Sequence, residues 1–150
     1  MMETAIEVHM TDAIARQVAD EVEIGKLLVR LAQMADDSDL NDYVELFTED
    51  GAWNGPSGET RVGHTDIMAG AQERRDAGVQ GPGTNTFHLV SNVNIQVNGN
   101  SATGKSYFHY YRDVHDVPQL RSMGVYRDEF RRTPQGWRMA KRVILGPPVS

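Results

Sequence analysis

The stretch "TNTFHLVSNVNIQVNGN" (residues 84–100) decides the fold, because it has the pattern of a long strand followed by a tight turn. Alternate positions between residues 93 and 97 are apolar, which is typical of a strand with one buried face. The Asn98–Gly99 pair suits a hairpin turn, since both residues tolerate positive φ. His88 is therefore predicted near the beginning of the first long strand of a sheet.

Upstream of this strand the apolar residues follow the helical period. One stripe contains Ile24, Leu27, Leu28, Leu31 and Ala35, which predicts a long first helix capped at its start by Thr11 or Asp12. Shorter helices are predicted after residue 38 and from residue 64.

Downstream of residue 100, three further long strands are predicted. Helices followed by an antiparallel meander indicate an α+β fold. We expect residues 1–10 to form a loose N-terminal arm and residues 11–150 to form a single domain.

Composition limits the classes of function. The chain has 150 residues, enough for one domain with a real core. Its formal net charge of −6 argues against nucleic acid as the main partner. It has no cysteine, which excludes disulfides, thiolate nucleophiles and cysteine metal sites. No segment resembles a secretory signal or a membrane span, so we expect a cytoplasmic protein that does not contact membranes.

Asp36 lies near the end of the predicted first helix. It falls at the margin of the apolar stripe, four residues after Ala32 and eight after Leu28. Taken alone, an exposed carboxylate at a helix end is the favoured interpretation. His88 also has two interpretations, a histidine satisfied within the core or a catalytic base.

Asp128 is the second carboxylate of interest. In "GVYRDEFRR" (residues 124–132), strand alternation places it on the same face as Gly124, Tyr126 and Phe130. That face looks inward, and a buried carboxylate is costly unless it is paired. Asp128 is therefore either a structural hydrogen-bond hub or part of a site.

The motifs of several common catalytic classes are missing. The chain has no G-x-S-x-G elbow, no glycine-rich phosphate loop and no H-E-x-x-H. Its five histidines include no helical pair at metal-ligand spacing, and the direction of His109 within "SYFHYYR" is ambiguous. We expect neither a metal nor an organic cofactor.

The order of these segments resembles the nuclear transport factor 2-like superfamily, in its SnoaL-like branch, over roughly residues 15–146. The resemblance rests on "LAQMADDSDLNDYVELFTEDGAW" (31–53), "FHLVSN" (87–92), the Asn98–Gly99 hairpin, and "GVYRDEFRR" followed by "GWRMAKR" (136–142). It implies a cone, in which a strongly curved mixed sheet wraps against three helices and leaves a pocket at its open end.

Within that branch the chain is most similar to the group of scytalone dehydratase, bile-acid dehydratase and hexachlorocyclohexane dehydrochlorinase. The resemblance implies a dyad, in which an aspartate at the end of the first long helix orients a histidine that removes a substrate proton. Asp36 matches the aspartate and His88 matches the histidine. The chemistry is sound, because histidine accepts a proton near neutral pH and a carboxylate fixes its tautomer and stabilises the imidazolium.

Three positions depart from that group. Ala35 stands where the dehydratases carry a tyrosine, and Gly55 falls about where scytalone dehydratase has a second one. Arg112 aligns near that enzyme's second histidine and could bind an anionic or oxyanion group. Tyr110 and Tyr126 could supply the missing phenols from other strands.

Strict alternation along the histidine strand creates a conflict. If the apolar face formed by residues 93, 95 and 97 lines the cone, His88 points outward. A bulge near Ser91–Asn92 would switch the alternation and turn His88 inward. Bulges are common where sheets bend sharply.

The sequence thus predicts a small pocket enzyme in which His88 removes a proton from an apolar substrate, which could be cyclic or polycyclic. Elimination or isomerisation would follow. Candidate substrate contacts are Trp53, Met68, Phe87, Phe108, Tyr110, Arg112, Tyr126 and Asp128, with ordinary core packing as the alternative for the apolar and aromatic ones.

The rival hypothesis is a non-catalytic protein, either a ligand-binding module or an accessory subunit like the small subunit of ring-hydroxylating dioxygenases. A partner surface on the outer face of the sheet would favour it. Aromatic and charged residues on open sheet faces predict a homo-oligomer, a dimer or trimer, and the resemblance implies the same.

Overall fold

The computed structural model describes residues 2–148 of the chain, with side chains from residue 4 onward. The helices are α1 (Met2–Asp37), α2 (Leu40–Val44) and α3 (His64–Asp76). The strands are β1 (Phe47–Asn54), β2 (Thr60–Val62), β3 (Thr86–Asn98), β4 (Ser101–Arg112), β5 (Gln119–Thr133) and β6 (Gly136–Leu145). None of the helices in residues 2–148 has the length and apolar character needed to cross a membrane.

The six strands form one curved, unclosed sheet in the order β2-β1-β6-β5-β4-β3. β1 runs parallel to β6, and every other neighbouring pair is antiparallel. The hydrophobic core lies between the helices and the concave face of this sheet. The predicted α+β cone with three helices is therefore confirmed.

The helix α1 packs its predicted apolar stripe against the sheet. Ile24, Leu28 and Leu31 are fully buried. The helix begins well before the predicted cap, so Thr11 lies inside it and its hydroxyl donates to the Glu7 carbonyl (2.8 Å). Met1 lies outside the described residues, and residues 2–10, expected as a loose arm, are helical. Side chains 4–19 are all exposed.

Asp20 anchors the middle of α1 to the β5–β6 hairpin. Its carboxylate accepts two hydrogen bonds from Arg132 (2.9 and 2.7 Å) and one from the Trp137 indole (3.0 Å). These bonds hold the pKa of Asp20 below its usual range, with Arg132 as the main cause. Arg132, near the end of β5, is therefore tied to the helix.

The structure contains the bulge in β3 that would turn His88 inward. The pairing of β3 with β4 shifts between Ser91 and Asn94, and Asn92 takes a φ of 53°. This left-handed conformation is one that asparagine adopts more readily than most residues. Before the bulge His88 lies opposite Tyr110, and after it Ile95 lies opposite Gly104. The extra residue lets both His88 and Ile95 face the inside of the cone.

Candidate active site

A cavity of about 580 Å³ opens inside the cone, between the helices and the concave face of the sheet. Its apolar wall includes Leu31, Trp53, Phe108 and Ile144. Its polar residues include Tyr43, Arg74, Gln80, His88, Tyr110, Tyr126 and Arg142. This mixture of an apolar wall and a few convergent polar groups is typical of small-molecule sites.

The Asp36 carboxylate holds His88 with both of its oxygens. Oδ1 lies 2.6 Å from the imidazole Nδ1, and Oδ2 accepts the backbone N–H of His88 at 2.8 Å. The contact that the sequence predicted between these side chains is therefore present. An ionised carboxylate requires the proton on Nδ1, which leaves Nε2 with a free lone pair. His88 lines the cavity, and its side chain is 16% exposed.

Arg75 fixes the end of α1 where Asp36 lies. Its guanidinium Nη2 donates to the carbonyls of Met34 (3.1 Å), Ala35 (3.2 Å) and Ser38 (2.6 Å). These carbonyls belong to the last turn of the helix and the residue that follows it, where oxygens lack partners within the helix and the dipole favours a cation. The α3 residue Arg75 thus positions the dyad carboxylate, a role that the sequence did not reveal.

Tyr110 supports the imidazole from the neighbouring strand. Its ring centroid lies 4.9 Å from that of His88. Its hydroxyl donates to the Val79 carbonyl. Tyr110 therefore lines the cavity as expected, but its phenolic proton is used by the protein backbone.

Asp128 is a hydrogen-bond hub, one of the two alternatives left open by the sequence. It accepts two hydrogen bonds from Arg142, from Nε and Nη2, each at 2.9 Å. Burial would lower the pKa of Arg142, but the Asp128 carboxylate more than reverses this effect. Arg142 lines the cavity, whereas the Asp128 side chain lies behind it and is only 1% exposed.

Tyr126 lies between Arg142 and Phe108. The Arg142 guanidinium is 3.7 Å from the Tyr126 ring centroid, and the Phe108 ring stacks on the same tyrosine at 4.7 Å. A side chain at Gly124 would collide with Phe108, so the glycine permits this stack. Burial raises the pKa of Tyr126 to about 12, which keeps the phenol protonated over the physiological range.

The sequence also did not reveal Arg74, Tyr43 and Gln80 as polar residues of the cavity. The Arg74 guanidinium lies 4.2 Å above the Trp53 ring, and burial lowers the pKa of Arg74. Burial also raises the pKa of Tyr43, an effect that the positive charge of Arg74 opposes. Gln80 is buried, and its Nε2 has no hydrogen-bond partner within residues 2–148. In the sequence, the only sign of Arg74 and Gln80 was the polar character of "QERRDAGVQG" (residues 72–81).

Besides Asp128, three of the predicted substrate contacts lie outside the cavity lining. Phe87 is 49% exposed on the outer face, because successive strand residues alternate and its neighbour His88 faces inward. Met68, on α3, packs against the core and does not line the cavity. Arg112 is exposed at the end of β4, with its guanidinium 5.9 Å from the Tyr110 ring and outside the cavity lining.

The histidine of uncertain direction faces outward. His109 neighbours Tyr110 along β4 and pairs with Leu89 and Met123, which are both exposed. Within the part of the chain that the structure describes, no three His, Asp or Glu side chains cluster as metal ligands.

Comparisons with known sequences agree with this architecture. A family model described as a SnoaL-like domain matches residues 16–143. An uncharacterized protein from Mycobacterium tuberculosis is 27% identical over 129 residues, which covers 85% of this chain and 85% of that protein.

Solved structures share the fold. A nuclear transport factor 2-like protein with a cystatin-like fold from Novosphingobium aromaticivorans has a TM-score of 0.82 and 27% identity, over 93% of this chain and 90% of that one. A provisionally assigned dehydratase of the same family from Streptomyces avermitilis has a TM-score of 0.73 and 15% identity, over 87% and 98% of the two chains. At that identity the second likeness is one of fold alone.

Proposed function

The chain belongs to the SnoaL-like domain family, and we propose that it is a cofactor-independent lyase or isomerase with His88 as its general base. The observation that carries the proposal is the Asp36–His88 pair at the cavity wall. Both carboxylate oxygens are used on one histidine, and the second ring nitrogen remains for a ligand. A merely structural histidine has no need of a ligand-sized cavity beside it.

The proposed reaction begins with proton transfer from a substrate C–H group to Nε2 of His88. The electron pair of that bond moves into the neighbouring unsaturated group, and Asp36 stabilises the imidazolium. In an elimination, the pair forms a C=C bond as a hydroxyl group on the adjacent carbon takes the proton and leaves as water. In an isomerisation, the imidazolium returns its proton to a different carbon. Neither outcome needs a redox partner, since no electrons are gained or lost overall.

The cavity favours an apolar substrate with one or more rings. Its volume of about 580 Å³ lies within the roughly 300–1,000 Å³ range of small-molecule sites. Leu31, Phe108 and Ile144 supply aliphatic and aromatic contacts to such a skeleton. The provisional assignment of the Streptomyces avermitilis protein as a dehydratase is consistent with this class of reaction.

Hydrogen exchange of a test ketone checks the proposed base without knowledge of the natural substrate. We expect the protein to accelerate exchange of the acidic protons of 2-tetralone in D₂O, followed by NMR. His88→Ala should lower that rate about 10²–10⁴-fold, the usual contribution of a general base. His109→Ala is the matched control, because His109 lies on the outer face of the sheet.

The rival hypothesis gives a contrasting outcome. If His88→Ala leaves the exchange rate unchanged and lowers only the melting temperature, His88 is a core histidine. The protein would then be a ligand-binding module or an accessory subunit.

We also propose that the chain forms a homo-oligomer, a dimer or trimer, through the outer face of the sheet. Phe87 and Leu89 expose large apolar side chains there, and contiguous apolar surface favours association. Light scattering at high protein concentration checks this point. A monomer mass would reject it.

A further inference from the structure

We propose that Arg74 and Gln80 form an oxyanion-binding subsite in the cavity, and that the substrate carries a carbonyl group next to the carbon that His88 deprotonates. The inference deepens the proposed function and rests on it. It names the chemical class of the substrate as a cyclic carbonyl compound, whose oxygen becomes an enolate when the proton is removed.

The first support is the state of Arg74. Within residues 2–148 its guanidinium has no carboxylate within 4 Å, although it is half-buried against the Trp53 ring and interacts with the Tyr43 hydroxyl. The other arginine of the cavity, Arg142, gives two hydrogen bonds to Asp128. A partly desolvated guanidinium with unused N–H groups is suited to a charged or polarised ligand oxygen.

The second support is Gln80. It lines the same cavity and is 7% exposed, yet its Nε2 has no hydrogen-bond partner within the described residues. Buried donors without a partner are rare, because each has lost its bonds to water without replacement. A ligand oxygen in the cavity would satisfy this donor.

The partners of the nearby carboxylates leave Arg74 without a direct ion pair. Asp36 is engaged by His88 and Asp128 by Arg142. Glu59, an exposed lining residue, accepts the backbone N–H of Ser57 at 3.1 Å and forms no ion pair with Arg74. Arg74 is therefore not bound directly by a carboxylate within residues 2–148, although the charge of Glu59 acts on it through space.

The chemistry connects the subsite to the base. As the C–H proton moves to Nε2 of His88, the electron pair of that bond becomes the C=C bond of an enolate. The carbonyl electrons move onto the oxygen, which then carries the negative charge. Donors that already point at the site of developing charge stabilise the transition state more than the neutral ketone. Arg74 and Gln80 would provide that difference.

Binding of a phenolate tests the subsite separately from turnover. Ionised 4-nitrophenol resembles an enolate, since its charged oxygen is conjugated to a planar ring, and its absorbance reports its ionisation. We expect the wild-type protein to bind the phenolate more tightly than 4-nitrotoluene, which lacks the oxygen. The pKa of the bound dye should be lower than that of the free dye.

Two substitutions then assign the effect. Arg74→Met should weaken phenolate binding about tenfold or more, the usual size for a bond to a charged group, and should leave 4-nitrotoluene binding unchanged. Arg74→Lys should recover part of the loss, and Gln80→Leu should show a smaller one. Arg112→Met, at an exposed arginine outside the cavity, is the matched control. Melting temperatures verify that each variant is folded.

The inference is overturned if the wild type binds the phenolate no better than 4-nitrotoluene, or if Arg74→Met binds it as well as the wild type. It is also overturned if His88→Ala weakens phenolate binding as much as Arg74→Met, because the histidine would then hold the anion. Phenolate binding that persists in His88→Ala supports the subsite. Failure of the 2-tetralone exchange test would reject the base but not this binding result, so the two failures are distinguishable.

Discussion

Two buried carboxylates of this protein have nearly the same hydrogen-bond geometry and different partners. Asp36 binds His88 through contacts of 2.6 and 2.8 Å, and Asp128 binds Arg142 through two of 2.9 Å. The imidazole can gain and lose a proton near neutral pH, whereas the guanidinium stays protonated. The Asp36–His88 pair has the chemistry for proton transfer, whereas the Asp128–Arg142 pair can only fix charges and side-chain positions.

The two pairs also differ in their surroundings. His88 keeps one ring nitrogen for the cavity, but Arg142 is sandwiched between Asp128 and the Tyr126 ring. Removal of one residue should therefore affect a different property at each pair. It should damage chemistry at the first pair and stability at the second.

The largest effect is expected for Asp36→Asn. The amide can donate to Nδ1, which places the ring proton on Nε2 and removes the lone pair that accepts the substrate proton. The 2-tetralone exchange rate should fall about 10²–10⁴-fold, with little change in melting temperature. An Asp36→Asn variant that exchanges the ketone protons at the wild-type rate would contradict proton transfer by the Asp36–His88 pair.

The next effect is on stability, at the second pair. Arg142→Met leaves Asp128 as a buried, unpaired charge, so the free energy of unfolding should fall by about 3–5 kcal/mol. Urea denaturation measures this change. The double variant Asp128→Leu/Arg142→Met should recover much of it, because two apolar side chains carry no desolvation cost. A loss below about 1 kcal/mol for the single variant would contradict a structural role for this pair.

A smaller effect is expected at the bulge that turns His88 toward Asp36. Asn92→Val forces a β-branched residue into positive φ and should lower the free energy of unfolding by about 1–2 kcal/mol. Asn92→Gly should be nearly neutral, since glycine adopts this conformation freely. Asn94→Val, two residues further along β3, is the matched control. Equal losses at both positions would show that the bulge does not depend on the conformation of residue 92.

The smallest effect concerns the tyrosine beside Arg142. The pKa of Tyr126 is raised to about 12 by burial, so the folded protein keeps a proton that the unfolded chain loses near pH 10. Stability should therefore fall as the pH rises from about 10 to 12, by about 1 kcal/mol at pH 11 from this residue. Comparison of wild type with Tyr126→Phe in urea at pH 8 and pH 11 measures it. Identical losses in both proteins would exclude Tyr126 as the cause.

The parts of the fold that depend on local periodicity were predictable. The apolar stripe of α1 and the alternation in β3 follow from the geometry of helices and strands, which each segment carries in its own residues. The need for a bulge in β3, if His88 was to face the cavity, was also visible, because the two halves of β3 placed His88 and the apolar residues on opposite faces. The Asp36–His88 contact was predicted only through resemblance, since its partners are 52 residues apart.

The residues that the sequence placed wrongly or did not reveal all have positions that only the tertiary structure sets. Phe87, Met68 and Arg112 have suitable chemistry, but only the sheet's curvature and the strand ends decide which side chains reach the cavity. Arg75 reaches carbonyls about forty residues earlier in the chain.

The sequence by itself therefore determined the helix and strand pattern and the α+β class. The tertiary structure alone decided that Arg142 neutralises Asp128 and that, within residues 2–148, Arg74 has no ion-pair partner and Gln80 keeps an unused donor. The physical reason is that charge pairing and burial depend on distances between segments, and no local pattern specifies those distances.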